Sequence, residues 1–340
     1  MLKPYLQKVI SFQNLSDNEA QEAMTIIMTG QATTAQIGAY LVALRMKGET
    51  VDEIIGSARA MRLQANRVMV EMGDQHLVDI VGTGGDGSNS FNISTTAAFV
   101  IAGAGKRVAK HGNRAASSRC GSADVLAALG VKLELTSQQV ATCIEEIGIG
   151  FMFAPMFHPA MKYAIGPRKE IGQRTIFNIL GPLTNPAGAT HQLVGVYDPT
   201  LTETLAKVLG SLGTQAAFVV HGDHGMDELT TTGCNRVSHL KDGKVTSFEF
   251  DAHSLGLRAS ADDDLLGGDP QLNAQMLMDI LSGKDESPRR DVVLLNSAAA
   301  LASEDGNLAA GIREAERSLN SGAALERLNA LIDFSQRVAA

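Results

Sequence analysis

The stretch V-G-T-G-G-D-G-S-N-S-F-N-I-S-T, residues 81–95, constrains this chain more than any other. It follows a short β-branched apolar run at 77–81 and leads into a small-residue helical pattern beginning near Thr95, so it reads as the loop of a strand–loop–helix unit. Gly82, Gly84, Gly85 and Gly87 permit positive φ and a close approach of backbone N–H groups to an anion, which a Cβ would obstruct. Thr83 and Asp86 lie among them, and Asn92, Ser94 and Thr95 fall where the next helix starts and its first N–H groups lack internal partners. A ligand-free tight turn has the same glycine pattern, so the meaning of the loop depends on what else the chain brings to it.

The surrounding pattern fixes the fold class. Apolar runs like the first recur at 106–109, 150–154, 193–197 and 216–220, separated by helical patterns at 123–129, 138–147 and 201–212. Strands alternating with helices imply an α/β fold with a mostly parallel central sheet. The segment 237–250, centred on Asp242-Gly243, reads as an antiparallel hairpin. From Asn273 onward the pattern is helical, with one further strand expected at 292–295. Before Met72 the chain reads as three helices, opened by the capping boxes Ser16 with Glu19, Thr33 with Gln36 and Thr50 with Glu53. Gly30 and Gly48 fall where the first two of these stop.

At 340 residues and 44% hydrophobic content, the chain can bury a large core and is long enough for two domains. A net charge of −8 argues against a generally basic nucleic-acid binder. Cys120, Cys143 and Cys234 are distant and odd in number, with no C-x-x-C pair, which supports neither a disulfide framework nor a zinc site and fits a reducing cytosol. Residues 1–12 lack a long apolar core, and no later run is long enough to span a bilayer; a cytoplasmic location with no membrane or nucleic-acid partner is the expectation.

Three more segments carry chemistry. Lys110-His111-Gly112-Asn113-Arg114 follows the second predicted strand, and Ser117, Ser118, Arg119, Gly121, Ser122 and Asp124 lead into a helix. Ligands of open α/β sheets bind beyond the carboxyl ends of the strands, so this loop and the glycine-rich loop are expected to share a site for a polyphosphate or phosphosugar. His111 reads as a structural histidine, a hydrogen-bond donor or an acid–base group, with a binding role preferred because no carboxylate is near it in sequence. After the strand ending at Val220, Asp227-Glu228 is a plausible holder of Mg2+, which prefers oxygen ligands and is commonly shared with phosphates. His221 and His224 match zinc poorly. The fourth segment, F-M-F-A-P-M-F-H-P-A from Phe151, continues to Arg168, Arg174 and F-N-I-L-G-P, joining apolar surface to isolated cations that suit an aromatic carboxylic acid.

Taken in order, G-T-G-G-D-G-S-N-S-F-N-I-S-T, K-H-G-N-R-A-A-S-S, F-A-P-M-F-H-P-A, R-K-E-I-G-Q-R-T-I-F-N-I-L-G-P-L-T-N-P, H-G-x-x-G-M-D-E-L, G-G-D-P-Q-x-N-A and R-D-V-V-L-L-N-S-A-A-A-L closely resemble the anthranilate phosphoribosyltransferases. The resemblance implies transfer of a phosphoribosyl group from phosphoribosyl pyrophosphate to the anthranilate amine in tryptophan biosynthesis. It implies a homodimer, two Mg2+ ions per subunit, and a helical domain at 1–72, completed by a helical segment around 158–175, beside an α/β domain at 73–340. By resemblance, Gly82, Thr83, Gly84, Gly85, Asp86, Gly87, Asn92, Ser94, Thr95, Lys110, Ser117 and Ser118 bind phosphoribosyl pyrophosphate. Gly82, His111, Asn113, Ala154, Pro155, His158, Arg168, Gly181 and Pro182 bind or line the approach of anthranilate, and Ser94, Asp227 and Glu228 hold the metal. The chain departs from the family pattern at Ala115-Ala116, Arg119-Cys120 and Gly166-Pro167. Two other readings fit parts of the pattern: a pyrimidine nucleoside phosphorylase, which shares the two-domain plan and an anion loop, and a non-catalytic nucleic-acid-binding relative.

Overall fold

Four helices open the chain: α1 (Lys3–Ile10), α2 (Asp17–Met28), α3 (Thr34–Lys47) and α4 (Val51–Leu63). The last three start at the expected capping boxes, each N-cap hydroxyl accepting from the N–H three residues on while the acid or amide there accepts from the N-cap N–H. Helix α1 has no side-chain cap and only Pro4 in its first turn, which is why the pattern of hydroxyls and acids does not announce it. Gly30 at φ 73° and Gly48 at φ 87° end α2 and α3. The structure, a computed structural model, describes every residue except 74, 116, 117 and 340.

Glu53 does more than cap α4. Its fully buried carboxylate accepts from the N–H of Leu15 at 3.0 Å and of Thr50 at 2.8 Å, and pairs with buried Lys47 at 2.8 Å, so one acid ties three elements together. Much later in the chain, the helix Lys162–Ile171 packs on α2 and α3 and buries Ala164 in the core that holds Met24, Tyr40 and Leu41. Arg62 of α4 fastens this bundle to the remainder, donating to the carbonyls of Leu183 at 2.7 Å and Leu212 at 2.8 Å.

That remainder is built on a seven-stranded sheet of β1 (Leu77–Gly82), β2 (Arg107–Gly112), β3 (Ile149–Phe153), β4 (His191–Gly195), β5 (Ala216–His221), β6 (Cys234–Lys241) and β7 (Lys244–Asp251). The order is β3-β2-β1-β4-β5-β6-β7; the first five strands are parallel and the last two form an antiparallel edge. The hairpin turns at Asp242 (φ 49°) and Gly243 (φ 71°), the two positive φ values that its two-residue turn requires. Alternation along the strands divides the core. Leu193, Phe218 and Val220 face α5 (Ile93–Gly103) and the helix Pro288–Leu301, whereas Val194, Ala217 and Val219 face the bundle and the helix Leu201–Ser211. Covered on both faces, β5 reads as a nearly continuous apolar run, and β4 is buried along its whole length although it opens on His191 and Gln192.

Two expectations are corrected. Residues 292–295 are no strand but the middle of the helix Pro288–Leu301, capped by Ser287 and buried on every side from Asp291 to Ala300. Burial all round erases the amphipathic period, and a short apolar run alone does not separate a buried helix from a buried strand. Strand β2 also continues further than its apolar run: Lys110 pairs in register with Phe151, and His111 with Met152. Both belong to the ladder, not to the loop after it.

Glu53→Gln leaves Lys47 buried without its counter-charge, a change that costs about 3 kcal/mol in comparable buried pairs. We expect a urea midpoint lowered accordingly; an unfolding curve coincident with wild type would show that the Lys47 charge is not held by this pair.

Candidate functional site

In the parallel sheet β4 lies between β1 and β5, and the loops leaving these strands meet above it. Asp227, in the loop after β5, reaches across to β1, where its Oδ2 accepts from the N–H of Gly84 at 2.6 Å. Its own N–H donates to Asp86 Oδ2 at 3.3 Å. A Cβ on Gly82 would fall 2.3 Å from Asp227 Oδ2, and one on Gly195 would fall 1.6 Å from the Asp227 carbonyl oxygen. Gly84, Gly85 and Gly87 have φ values of 69°, 73° and 80°, as the loop reading anticipates. Gly82 does not; its glycine identity follows from the approach of Asp227. Thr83 accepts from the N–H of Tyr197 at 3.2 Å, and Arg174 lies over the Tyr197 ring at 4.1 Å while donating to the Gly85 carbonyl.

Glu228 caps α5, its Oε1 accepting from the N–H of Ser94 at 3.2 Å. The Thr95 side chain is buried. Asn92 is committed to holding the loops: its amide donates to the Cys120 carbonyl at 3.3 Å and accepts from Asn273 at 2.9 Å. Asn273 thereby gives a role to the G-G-D-P-Q-x-N-A segment, which in the sequence has only family likeness to mark it.

Lys110 is buried, donating to the Ile80 carbonyl at 2.7 Å and lying 3.3 Å from Ser94 Oγ. Burial lowers its pKa, against the opposing pull of Asp79 and Glu228. Asp79 sits on β1 with no exposure, accepting from Asn185 Nδ2 at 2.7 Å and from the N–H of His111 at 3.3 Å. Burial raises its pKa to about 6 even though Asn185 and Lys110 pull the other way. Neither Asp79 nor Asn185 is among the site residues expected from the sequence, although Asn185 stands in the L-T-N-P that closes one motif and an acid inside the apolar run L-V-D-I-V is itself a signal.

His111 and His158 face each other with ring centres 5.0 Å apart, and the Nε2 of each is buried without a protein partner. Burial lowers their pKa values to about 3 and about 4, with His158 further lowering that of His111. Both are therefore neutral near pH 7. A base so weak suits hydrogen bonding better than proton abstraction. Arg168 lies over the Phe177 ring at 5.2 Å, and burial is the cause of its lowered pKa. Ala154 and exposed Pro155 open the short helix Ala154–Phe157 that leads to His158; Gly181 is half-buried, and buried Pro182 accepts from Gln192 at 3.2 Å.

Asn113 is exposed and Ser118 is exposed, in the loop after β2; Ser117 lies outside the described residues. Arg114 is not free for an anion, because Asp124 pairs with it at 2.9 Å. At the departure Cys120, the thiol is buried and its pKa is raised to about 11 chiefly by that burial, so it stays protonated. His221 contacts the Val196 carbonyl and His224 contacts Asp262, so the two do not act as a pair.

Asp227 and Glu228 thus bring hard oxygen donors to the glycine-rich loop and the start of α5, with Asp86 beside Asp227. Burial first, and then the charge of Asp86 on Asp227 and of Asp227 on Glu228, push both acids well above the ordinary carboxylate range. Such a cluster calls for a cation, and its donors fit Mg2+.

Comparison with known proteins adds the lineage. Residues 74–325 match the model of the glycosyl transferase family α/β domain, and residues 3–65 match that of the family's helical bundle domain. The chain is 54% identical over 342 residues to an anthranilate phosphoribosyltransferase of Moorella thermoacetica, with 100% of each chain covered. A solved anthranilate phosphoribosyltransferase of Thermus thermophilus superposes with a TM-score of 0.92 at 42% identity, over 97% of this chain and 99% of that one. The Saccharomyces cerevisiae enzyme in complex with phosphoribosyl pyrophosphate and magnesium gives a TM-score of 0.90 at 30% identity, over 99% and 98%. With motifs, domain models and structure in agreement along its length, the chain belongs to the anthranilate phosphoribosyltransferase family.

Proposed function

We propose that the loops above β1, β2 and β5 transfer the 5-phosphoribosyl group of phosphoribosyl pyrophosphate to the amine of anthranilate, giving N-(5-phosphoribosyl)anthranilate and pyrophosphate. The observation that carries this reading is the convergence of the Asp227 and Glu228 carboxylates on the glycine-rich loop and the start of α5. The donor's phosphates lie against the Gly82 to Gly87 loop and the first turn of α5 and take the N–H groups of Gly85, Asp86 and Gly87, those of Thr83, Gly84 and Ser94 being held by Gly195, Asp227 and Glu228, with Lys110 and Ser118 nearby. Ser94, Asp227 and Glu228 are the groups that would hold Mg2+, two ions per subunit on the family pattern. When bound, the metal supplies charge neutralisation for the leaving pyrophosphate.

The acceptor half uses His111, His158, Asn113 and Arg168. Neutral imidazoles in an apolar setting orient the anthranilate ring and its polar groups, and the guanidinium of Arg168 matches its carboxylate. In the reaction the C1–O bond to pyrophosphate breaks, the amine nitrogen forms the new bond to C1, and the nitrogen sheds a proton. An aromatic amine is neutral at pH 7 and needs no prior deprotonation, so positioning and charge stabilisation account for the chemistry without an assigned base.

Two domains, at 1–72 with the segment around 158–175 and at 73–340, belong to the same proposal, supported by the shared core of α2, α3 and the helix Lys162–Ile171. So does a homodimer, for which the exposed Ile10, Val42 and Met46 on the mutually packed α1 and α3 offer an apolar surface. A cytoplasmic location completes it; among the described residues no helix is long and apolar enough to cross a membrane.

Loss of anthranilate fluorescence on adding phosphoribosyl pyrophosphate and Mg2+ tests the activity directly; undiminished fluorescence with folded protein would refute it. The double variant Asp227→Asn, Glu228→Gln should keep its fold and lose about a hundredfold or more of this turnover, and wild-type rates would remove the metal assignment. Arg168→Ala should raise the KM for anthranilate by about tenfold or more, the value of one charge-assisted contact. A selective rise in the donor's KM would reverse the assignment of Arg168.

A pH test needs no turnover. Because Asp227 and Glu228 titrate above their unfolded values, the metal-free fold holds protons that the unfolded chain has released; this stabilises it at acidic pH and is lost as pH rises through neutrality. Mg2+ competes with those protons. Saturating Mg2+ should therefore raise the melting temperature more at pH 8 than at pH 6, and an equal or larger shift at pH 6 would contradict the site.

A further inference from the structure

At the opposite, amino-terminal edge of the sheet, His76, His191 and Glu304 converge: one ring nitrogen from each histidine and one carboxylate oxygen lie within 4.8 Å of one another. The two rings are 4.2 Å apart between centres, and His76 Nε2 is 3.9 Å from Glu304 Oε2. His76 immediately precedes β1, His191 opens the neighbouring β4, and Glu304 lies between the helices Pro288–Leu301 and Leu308–Asn320. The length of β1, roughly 20 Å at about 3.3 Å per residue, separates this cluster from the glycine-rich loop. Nothing in the transfer reaction uses it.

We propose that His76, His191 and Glu304 form a site for a divalent transition-metal ion of the zinc type. Two imidazoles and one carboxylate are a donor set that zinc takes with water in its fourth position, whereas Mg2+ favours oxygen donors throughout. His191 is the fixed member. It is 4% exposed, and its Nδ1 lies 3.1 Å from the Thr190 hydroxyl, which is itself 3.4 Å from the Leu77 carbonyl. A hydroxyl donating to that carbonyl accepts from Nδ1–H, which leaves Nε2 as the basic nitrogen; metal-binding histidines are oriented in this way by a partner on their other nitrogen.

His76 and Glu304 are the adjustable members, with side chains 38% and 66% exposed. Their 3.9 Å separation needs to shorten only to roughly 3.3 Å, the spacing of ligands about 2.0 Å from a tetrahedral zinc. A cavity of about 310 Å3, lined in part by His76 and Thr190, gives an ion a path. Binding there ties the starts of β1 and β4 to the turn at Glu304. The bound ion therefore stabilises the folded chain over the unfolded one.

The test uses the full chain in saturating Mg2+, titrated with Co2+ as a coloured substitute for Zn2+. We expect one Co2+ per chain with the visible absorption of a four-coordinate site, displaced by Zn2+, and binding weakened at least tenfold in both His76→Ala and Glu304→Gln. Zn2+ should also raise the melting temperature of wild type and not of either variant. Equal Co2+ affinity in wild type and either variant, or no uptake in the presence of Mg2+, would overturn the proposal.

Discussion

The passage of Asp227 over the end of β4 is the contact on which the arrangement of the site depends. Because β4 lies between β1 and β5, a group leaving β5 reaches the glycine-rich loop only by crossing the end of the strand between them. Gly195 makes the crossing possible, since any Cβ there would lie 1.6 Å from the Asp227 carbonyl oxygen, and Gly82 makes the landing possible. The hydrogen bond to Gly84 then locks the loop to the acid, and the adjacent Glu228 locks the start of α5. Two missing methyl groups and two hydrogen bonds thus set the course of the glycine-rich loop and its place against the start of α5. Neither glycine is replaceable by repacking, because the atoms it would strike are backbone or a buried carboxylate.

Beneath this contact the charges are arranged for a loaded state. Asp86 acts on Asp227 and Asp227 on Glu228, while the charge of buried Lys110 offsets that of Glu228. Lys110 is itself spoken for, by the Ile80 carbonyl, Ser94 and the field of Asp79. One ammonium set against these carboxylates leaves a negative surplus, which raises their pKa values and which, on the proposed assignment, a divalent ion would relieve. The strain is therefore local to the ligand site, and the alternating apolar ladder of β4 and β5 below it carries the stability.

Much of this was legible in the sequence. The capping boxes at Ser16, Thr33 and Thr50 have a fixed local geometry and appear as read. Asp242-Gly243 likewise dictates its own turn. What depends on contacts between distant segments was not legible: Gly82 looks like a member of a flexible loop until Asp227 is placed against it, and nothing in the sequence ties Asn92 to Asn273 and the Cys120 carbonyl. The helix Pro288–Leu301 was misread because complete burial removes the periodicity on which such reading rests. Asp79 shows the reverse case, an acid in an apolar strand whose anomaly was visible although its partners, Asn185 and the N–H of His111, were not.

The two halves of the proposed site stand on different elements. The donor loops grow from the sheet, while Arg168 sits on a helix whose apolar face belongs to the core of α2 and α3. Their relative placement rests on the apolar core that the bundle shares with β4, β5 and the helix Leu201–Ser211, and on the polar ties of Arg62 to the carbonyls of Leu183 and Leu212 and of Arg174 to Tyr197 and Gly85. Where bringing two substrates together in line supplies much of the rate, a displacement of about 1 Å costs on the order of a hundredfold. On this assignment Arg62 and Arg174, which need touch neither substrate, govern catalysis as much as the groups that bind them. What such residues supply is geometric: each joins a helix of the bundle, or the loop after one, to backbone carbonyls of the segments that carry the sheet.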